Sequence, residues 1–363
     1  MKVLFLTNVP SPYRVKFFNK LGKLCDLTVL YQKKSSSERD VKWTAEIGKH
    51  YRSVFMKGIS TGVDNAFCPE VINYLLFEKY DRIVICGIAS PTEVLAITIC
   101  KVFGISHYLE GDGGFVKKGH WMKERVKRFL ITGADGYFST CKAFDEYYRY
   151  YGADDGKIMR YPFTSLEEQD ILKEPVSQEE KLYLRSELGM IEKRIVLCVG
   201  RYVHIKGLDV LLNASLELEK DIGVYFVGEE PTDECREFTK KRDLTQVHFV
   251  GFQSKEELSK YYRAADVFVL PTRGDVWGLV INEAMANGLP VITTDRCNAG
   301  LELISDGKEG YIVPADNSGS IADCINLFFK NDIERMQKDS IAKIRAYTIE
   351  NMTAVHMEFL VKN

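Results

Sequence analysis

At 363 residues the chain is long for a single hydrophobic core and comfortable for two α/β domains. Hydrophobic residues at 45% and charged residues at 28% exclude a disordered or fibrous chain, and a formal net charge of −2 leaves no overall basic signal for nucleic acid. Nine cysteines without a Cys-x-x-Cys pair argue for reduced thiols in a cytoplasm and against a zinc ribbon or a disulfide framework.

In chain order, MKVLFLTN (1–8) is too short an apolar run for a signal peptide and reads as a first strand. Strand patterns follow at 2–7, 26–31, 81–87, 106–111 and 135–140, alternating with helical patterns near 13–23, 66–79, 91–103, 119–132 and 142–151. The loop after the first strand carries Pro10 and Pro12, which stiffen it, and then Tyr13 and Arg14. The most apolar region, 83–105, is broken by Pro91, Thr92, Glu93 and Lys101, so no transmembrane helix is expected. YLEGDGGF (108–115) places Glu110 and Asp112 at a strand end. A Gly-rich turn with solvated acids fits that segment as well as a ligand site does. KKGHWMKERVKRFL (117–130) holds six Lys or Arg against one Glu, with Trp121, Met122, Val126, Phe129 and Leu130 interleaved. A basic amphipathic helix of this kind can lie on an anionic lipid surface, although many charge runs are only solvated faces. His120 and His204 stand alone and read as structural or surface residues.

The segment 163–180 is polar, acidic and Pro-containing, and reads as an interdomain linker. A second alternating set begins at Ile195. IVLCVG (195–200) is a strand, and RYVHIKGLDVLLNA (201–214) places Arg201 at its end, then Lys206 and Gly207 at the start of a helix whose apolar face is Leu208, Leu211 and Leu212. Two cations at the mouth of one βα loop suit a diphosphate, since Arg forks onto phosphate oxygens and Lys acts as a point charge. Either could also be a solvated surface group. DVFVLP (266–271) is a buried strand, and RGDVWGLVINEAMANGLP (273–290) is a loop and helix with Asp275 and Glu283 separated by seven residues. PVITT (290–294) is the next strand. Strand, loop, helix, strand is one unit of a parallel sheet, and ligands bind at the carboxyl ends of such strands, against helix N-termini. An anion would be favoured near Gly278 and Leu279. An ordinary β–α loop with a surface Asp fits the second motif taken alone. The tail from 332 to 363 is helical in pattern.

On these segments the chain resembles the retaining glycosyltransferases of family 4, which have the GT-B architecture. The resemblance rests on VGRYVHIKGLDVLL (199–212), YFVGEE (225–230), HFVGFQSKEELSKYYRAADVFVLPT (248–272), GDVWGLVINEAMANGLPVITTD (274–295) and NAGLELISDGKEGYIVPADN (298–317). It spans essentially the C-terminal half. NVPSPYRVKFFNKLGK (8–23) and the EGDGG loop resemble bacterial members that build capsule, O-antigen or exopolysaccharide. The resemblance implies two Rossmann-like doubly wound domains facing a cleft. Residues 1–165 would bind the acceptor, 166–180 would link, 181–345 would bind the nucleotide sugar, and a helix in 346–363 would cross back to the first domain.

The implied reaction is transfer of a sugar, with retention, from a nucleoside-diphosphate sugar to a glycan hydroxyl, the acceptor being lipid-linked. A UDP-sugar is favoured. The implied roles are Arg201, Lys206 and the N–H groups near Gly278, Leu279 and Val280 for the diphosphate, Glu283 for the ribose diol, and Asp275 for the sugar near its anomeric carbon. The base would lie against Gly251, Phe252 and Gln253. The family usually has Glu at the first carboxylate, often followed by Pro-Phe-Gly; here the run is Asp275-Val276-Trp277-Gly278. Asp is one methylene shorter, which puts its reach to the sugar in question. Many members carry His near 110, whereas this chain has Glu110 and Asp112, which are read instead as groups that bind sugar hydroxyls. Tyr13 and Arg14 are placed to contact an acceptor diphosphate or to cap the next helix. No Asp-x-Asp pair occurs, so no metal and no cofactor is expected. The alternatives are a GDP-mannose-dependent mannosyltransferase, a GT-B sugar-nucleotide epimerase and a non-catalytic sugar-nucleotide-binding subunit. A cytoplasmic place, peripheral on the inner face of the membrane through 117–130, completes the expectation.

Overall fold

The structure is a computed structural model and describes residues 1–34, 48–116 and 119–362. It divides into two compact units, one of Met1–Ser165 with Thr348–Asn363 and the other of Leu166–Tyr347.

The first unit is a seven-stranded parallel sheet. Its elements run β1 (Lys2–Thr7), α1 (Pro12–Leu21), β2 (Asp26–Tyr31), β3 (Arg52–Phe55), a small antiparallel hairpin β4 (Ile59–Ser60) and β5 (Ala66–Phe67), α2 (Val71–Phe77), β6 (Arg82–Cys86), α3 (Pro91–Phe103), β7 (Tyr108–Glu110), α4 (Trp121–Ile131), β8 (Gly136–Ser139), α5 (Lys142–Tyr150) and β9 (Ile158–Arg160). Strand order is β3-β2-β1-β6-β7-β8-β9. Central strands such as VLFL and IVI are apolar at consecutive positions because helices cover both faces of a parallel sheet. Local signals set the helix ends. Ser90 and Glu93 form a capping box at the start of α3, and Gly104 closes it in the left-handed region. The helix expected over 66–79 is shorter: 66–67 pair as a strand, and α2 begins at Val71. β3 and β9 lie at the sheet edges, where only one neighbour is needed.

The second unit has six parallel strands. It comprises α6 (Gln178–Leu188), β10 (Arg194–Gly200), α7 (Leu208–Ala214), β11 (Ile222–Gly228), α8 (Asp233–Lys241), β12 (Val247–Val250), α9 (Lys255–Ala264), β13 (Val267–Leu270), α10 (Leu279–Ala286), β14 (Val291–Thr294), α11 (Asn298–Leu303), β15 (Gly310–Val313), α12 (Ser318–Phe328) and α13 (Ile333–Ile344). Strand order is β12-β11-β10-β13-β14-β15. Leu208, Leu211 and Leu212 of α7 enter the core with Val196, Val224 and Phe226.

The final helix, α14 (Ile349–Lys362), belongs to the first unit and packs on α1. Its buried face carries Met352, His356, Phe359 and Leu360. His356 stacks on Phe138 at 4.4 Å between centroids, and Phe359 meets Tyr108 and Phe138 edge-on at 5.8 and 5.0 Å. A β-carbon at Gly136 would sit 2.7 Å from the Phe359 ring, so this strand position must be glycine for α14 to seat. Among the described residues no helix is long and apolar enough to cross a membrane.

Candidate functional site

Each sheet reverses its winding once, and at that point the connections on either side diverge and leave a crevice at the carboxyl ends of the strands. In the second unit the reversal lies between β10 and β13. The β10 loop presents Arg201 on the surface, then a single tight turn over His204–Lys206. Gly207 follows with φ of 67° and opens α7. A β-carbon there would lie 2.0 Å from the Pro271 carbonyl oxygen, so only glycine lets the β10 and β13 loops touch. Thr272 Oγ1 and the Arg273 N–H both donate to the Ile205 carbonyl at 2.8 Å.

The β13 loop is pinned on its other side as well. The Asp275 N–H donates to the Arg296 carbonyl at 2.9 Å, Asn298 Nδ2 to the Val276 carbonyl at 2.8 Å, and the Ala299 N–H to the Trp277 carbonyl at 2.9 Å. Trp277 is buried, and its indole N–H donates to Asn282 Oδ1 at 2.8 Å. The bulk that distinguishes it from the smaller family residue is therefore spent on the interior. The effect is to hold Asp275 at the reversal point, where Lys206 Nζ lies 2.5 Å from its Oδ2. Gly278, with φ of 104°, begins α10 with no side-chain cap and no acid in the first turn, which leaves the positive end of the helix dipole facing the same place. Leu279 and Val280 form that first turn and are partly buried.

Glu283 sits one turn further along α10, half-buried, and accepts a hydrogen bond from the Tyr262 hydroxyl at 3.2 Å. Burial, then the Glu283 charge, drives the Tyr262 phenol well above its ordinary range, so it remains a donor. Gly251, Phe252 and Gln253 follow β12, two strands from β10, or roughly 10 Å at the usual strand spacing. Gln253 Nε2 donates to the Gly251 carbonyl at 3.1 Å, and the Phe252 side chain is exposed. The fold thus brings Lys206, Asp275 and Gly278 to one point, keeps Arg201 at the same strand end, and sets Gly251–Gln253 apart.

Arg273 was not legible from the sequence. Its guanidinium donates to both oxygens of Asp209 at 2.8 and 2.6 Å, to Asp316 Oδ1 at 2.5 Å and to the His204 carbonyl at 2.7 Å. It fastens the loop that carries Asp275 to the turn that carries Lys206. An arginine in a strand-end loop two residues before the key acid was the available signal.

In the first unit the reversal lies between β1 and β6, and a cavity of about 180 Å³ opens there. It is lined by Asn8, Ser11, Tyr13, Arg14, Glu110 and Asp112, among others. Arg14 is buried in α1, with NH1 against Glu110 Oε1 and NH2 2.6 Å from Asp112 Oδ1. Glu110 also accepts from the Tyr161 hydroxyl at 3.2 Å, and His356 Nε2 stands 3.8 Å from its Oε2, past hydrogen-bond length but within reach of charge. Burial alone would raise the Glu110 carboxyl; the Arg14 charge, then His356, outweigh it and hold the group at about 2. Tyr13 donates to Asp112 Oδ2 at 3.3 Å, and its phenol is pushed up to about 12 by burial and then by the Asp112 charge.

Two expectations change here. The Glu110 side chain has no solvent-exposed surface and borders the cavity as the partner of Arg14, not as the solvated acid of a Gly-rich turn. Arg14 neither caps α1 nor has charge to spare for a diphosphate, since it already spans two carboxylates. Asp112 keeps about a third of its side-chain surface, 35%, and is the more open of the two acids that line the cavity. His120 N-caps α4 and His204 opens the β10 turn, the structural places expected of them.

Residues 184–345 match the family model described as "Glycosyl transferases group 1". The chain is 33% identical over 162 residues to spore coat protein SA of Bacillus subtilis, covering 41% of this chain and 43% of that protein. It is 32% identical over 148 residues to the phosphatidyl-myo-inositol mannosyltransferase of Mycobacterium leprae, 39% of each. The alignments thus span less than half of these curated relatives. Over its whole length it is similar in structure to Anabaena HepE solved in complex with UDP, with a TM-score of 0.78, 16% identity and full coverage of both chains. That likeness shows the fold: two parallel-sheet α/β units in the GT-B manner.

Proposed function

We propose that the protein is a metal-independent, retaining glycosyltransferase that moves a sugar from a nucleoside-diphosphate sugar to a hydroxyl of a glycan acceptor. The observation that carries this reading is the meeting of Lys206 and Asp275 at the strand-order reversal beside the uncapped start of α10. The group 1 match covers both loops. A UDP-sugar is the favoured donor, since HepE, a structural neighbour at full coverage, was solved with UDP. The acceptor is a lipid-linked glycan of the kind used to build bacterial surface polysaccharide. The protein works in the cytoplasm at the inner face of the membrane.

In this reading Arg201, Lys206 and the first N–H groups of α10 hold the diphosphate, and Glu283, oriented by Tyr262, accepts from the ribose hydroxyls. The base extends toward Gly251–Gln253. Asp275 receives hydroxyls of the transferred sugar. The anomeric carbon–oxygen bond breaks with its electron pair going to the diphosphate, whose charge the two cations stabilise. The acceptor oxygen attacks from the same face and forms the new bond. Its proton passes to the leaving phosphate oxygen, so no separate base is required.

A thermal-shift panel of nucleotide sugars tests the reading, because a ligand of the folded state raises stability by mass action. A UDP-sugar should raise the midpoint, and the product formed in excess chelator should keep the donor's anomeric configuration. A response to GDP-mannose alone would shift the assignment to mannosyl transfer. Consumption of donor to an isomer without acceptor would replace transfer by epimerisation. Donor binding without any turnover would leave a binding subunit.

A further inference from the structure

Helix α4 turns an apolar face outward. At 100° per residue, Leu130 and Ile131 point into the unit, with Glu124 and Lys127 beside them. The opposite face is Met122, Val126 and Phe129, where a helix on a water-facing surface is normally polar. Trp121 stands at its amino end. Val102 and Phe103, at the carboxyl end of α3, extend the patch: Lys101 Nζ donates to the Phe129 carbonyl and lies 4.5 Å from the centre of its ring. These six apolar side chains are exposed by between 50% at Phe129 and 71% at Val102, which is more than a monomer's scattered surface residues explain.

The exposed charges of α4 itself are of one sign. Lys123 flanks the apolar stripe on one side and Arg125 on the other, both exposed, with exposed Arg128 a turn beyond. Glu124 is turned inward, accepting from the Gly119 N–H and the Tyr151 hydroxyl at 3.2 Å each. Lys127 is turned inward as well, 3.3 Å from the Tyr151 hydroxyl, so it does not join the cationic rim. Gly119, Trp121, Glu124, Arg125, Arg128 and Tyr150 border an open groove of about 500 Å³, in which the two arginines outnumber the single acid. Lys117 and Lys118, part of the basic run in the sequence, lie outside the described residues.

We propose that α4 and the end of α3 form a docking face for an anionic lipid bilayer. Met122, Val126, Phe129 and the Val102–Phe103 pair enter the boundary between headgroups and acyl chains, where an amphipathic helix lies in plane. Lys123, Arg125 and Arg128 meet lipid phosphates, and Trp121 takes the interfacial position that indole rings prefer. The face lies wholly in the first unit and does not depend on the nucleotide-sugar reading.

Co-sedimentation with vesicles containing 30% phosphatidylglycerol, against vesicles of phosphatidylcholine alone, tests it. The protein should bind the first and not the second. Lys123→Gln, Arg125→Gln and Arg128→Gln together should weaken binding by roughly a hundredfold at low salt, an effect that shrinks as the Debye length shortens. Met122→Ser, Val126→Ser and Phe129→Ser should remove binding even at low salt. Brominated lipid should quench the wild type and not Trp121→Phe. All of these side chains are exposed, so the melting temperature and its response to nucleotide should not move. Absence of vesicle binding, equal binding to neutral lipid, or binding unchanged by both triple substitutions would overturn the proposal.

Discussion

Lys206 Nζ and Asp275 Oδ2 lie 2.5 Å apart although the residues are 69 positions apart in the chain and arrive from neighbouring strands. A phosphate that takes Lys206 must take it from Asp275. Asp275→Asn should therefore leave binding of free nucleoside diphosphate unchanged or up to about tenfold tighter, by removing a competing charge-assisted bond. Transfer should fall by about two to three orders of magnitude, the scale of one lost electrostatic stabiliser. Calorimetry and initial rates read the two effects separately, and lost binding of the free diphosphate would show the roles to be wrongly divided.

Arg201→Ala and Lys206→Ala should each lower turnover by roughly two to three orders of magnitude with the fold intact. Arg201 is exposed and Lys206 is partly exposed at the end of the His204–Lys206 turn, so circular dichroism and melting should stay near wild type. Wild-type turnover in either variant would remove that residue from the diphosphate site.

Glu283→Gln should weaken binding of the nucleoside diphosphate, because a neutral amide is a poorer acceptor for two hydroxyls than a carboxylate. Tyr262→Phe should produce a smaller change in the same direction, about threefold to tenfold in KM for donor with kcat little changed. Tyr262 is buried, and its hydroxyl donates to the Glu283 carboxylate. A large fall in kcat from Tyr262→Phe would give it a different part.

Gly207→Ala should destabilise the second unit by more than about 2 kcal/mol, because its β-carbon would meet the Pro271 carbonyl and its φ is left-handed. Thermal unfolding checks this. Because Lys206 and the β13 loop are placed by that close approach, donor affinity should fall with stability.

Acid should loosen the first unit. The Glu110 carboxyl is held at about 2, below the ordinary value of about 4.3, so the unfolded chain takes up this proton more readily than the folded one. The stabilisation is full above roughly pH 4.5 and is lost as pH falls through the folded value. It is on the order of 3 kcal/mol for this group. Glu110→Gln should flatten that acid limb while costing stability at neutral pH, about 3–5 kcal/mol, as Arg14 keeps only Asp112. Urea unfolding from pH 3 to 7 in both proteins measures it.

The strands at 2–7 and 26–31 and the helix at 91–103 were legible because their apolar periodicity and caps are local. β3 and β9 were not, since edge strands of four and three residues, RSVF and IMR, have too little pattern to stand out. The segments that carry Arg201 with Lys206, and Asp275 with Glu283, could be read as motifs because in each the charge and glycine are spaced along a single strand–loop–helix unit. What Glu110 does could not, because its partner Arg14 is 96 residues away and the pair exists only once β7 lies near α1. Arg273 was missed for the same reason: its two carboxylate partners, Asp209 and Asp316, come from opposite sides of the sheet's reversal.

The first unit is closed by residues 348–362, which follow the whole of the second unit in the chain. During translation the ribosome releases β1 to β9 long before α14 exists. At typical elongation rates the Phe138 and Tyr108 faces that Phe359 and His356 cover wait roughly 10–40 s, while the intervening unit is made and can fold on its own. The half that starts first is therefore the half that finishes last. A nascent chain arrested before 348 should expose this apolar surface to chaperones even when its second unit is already native.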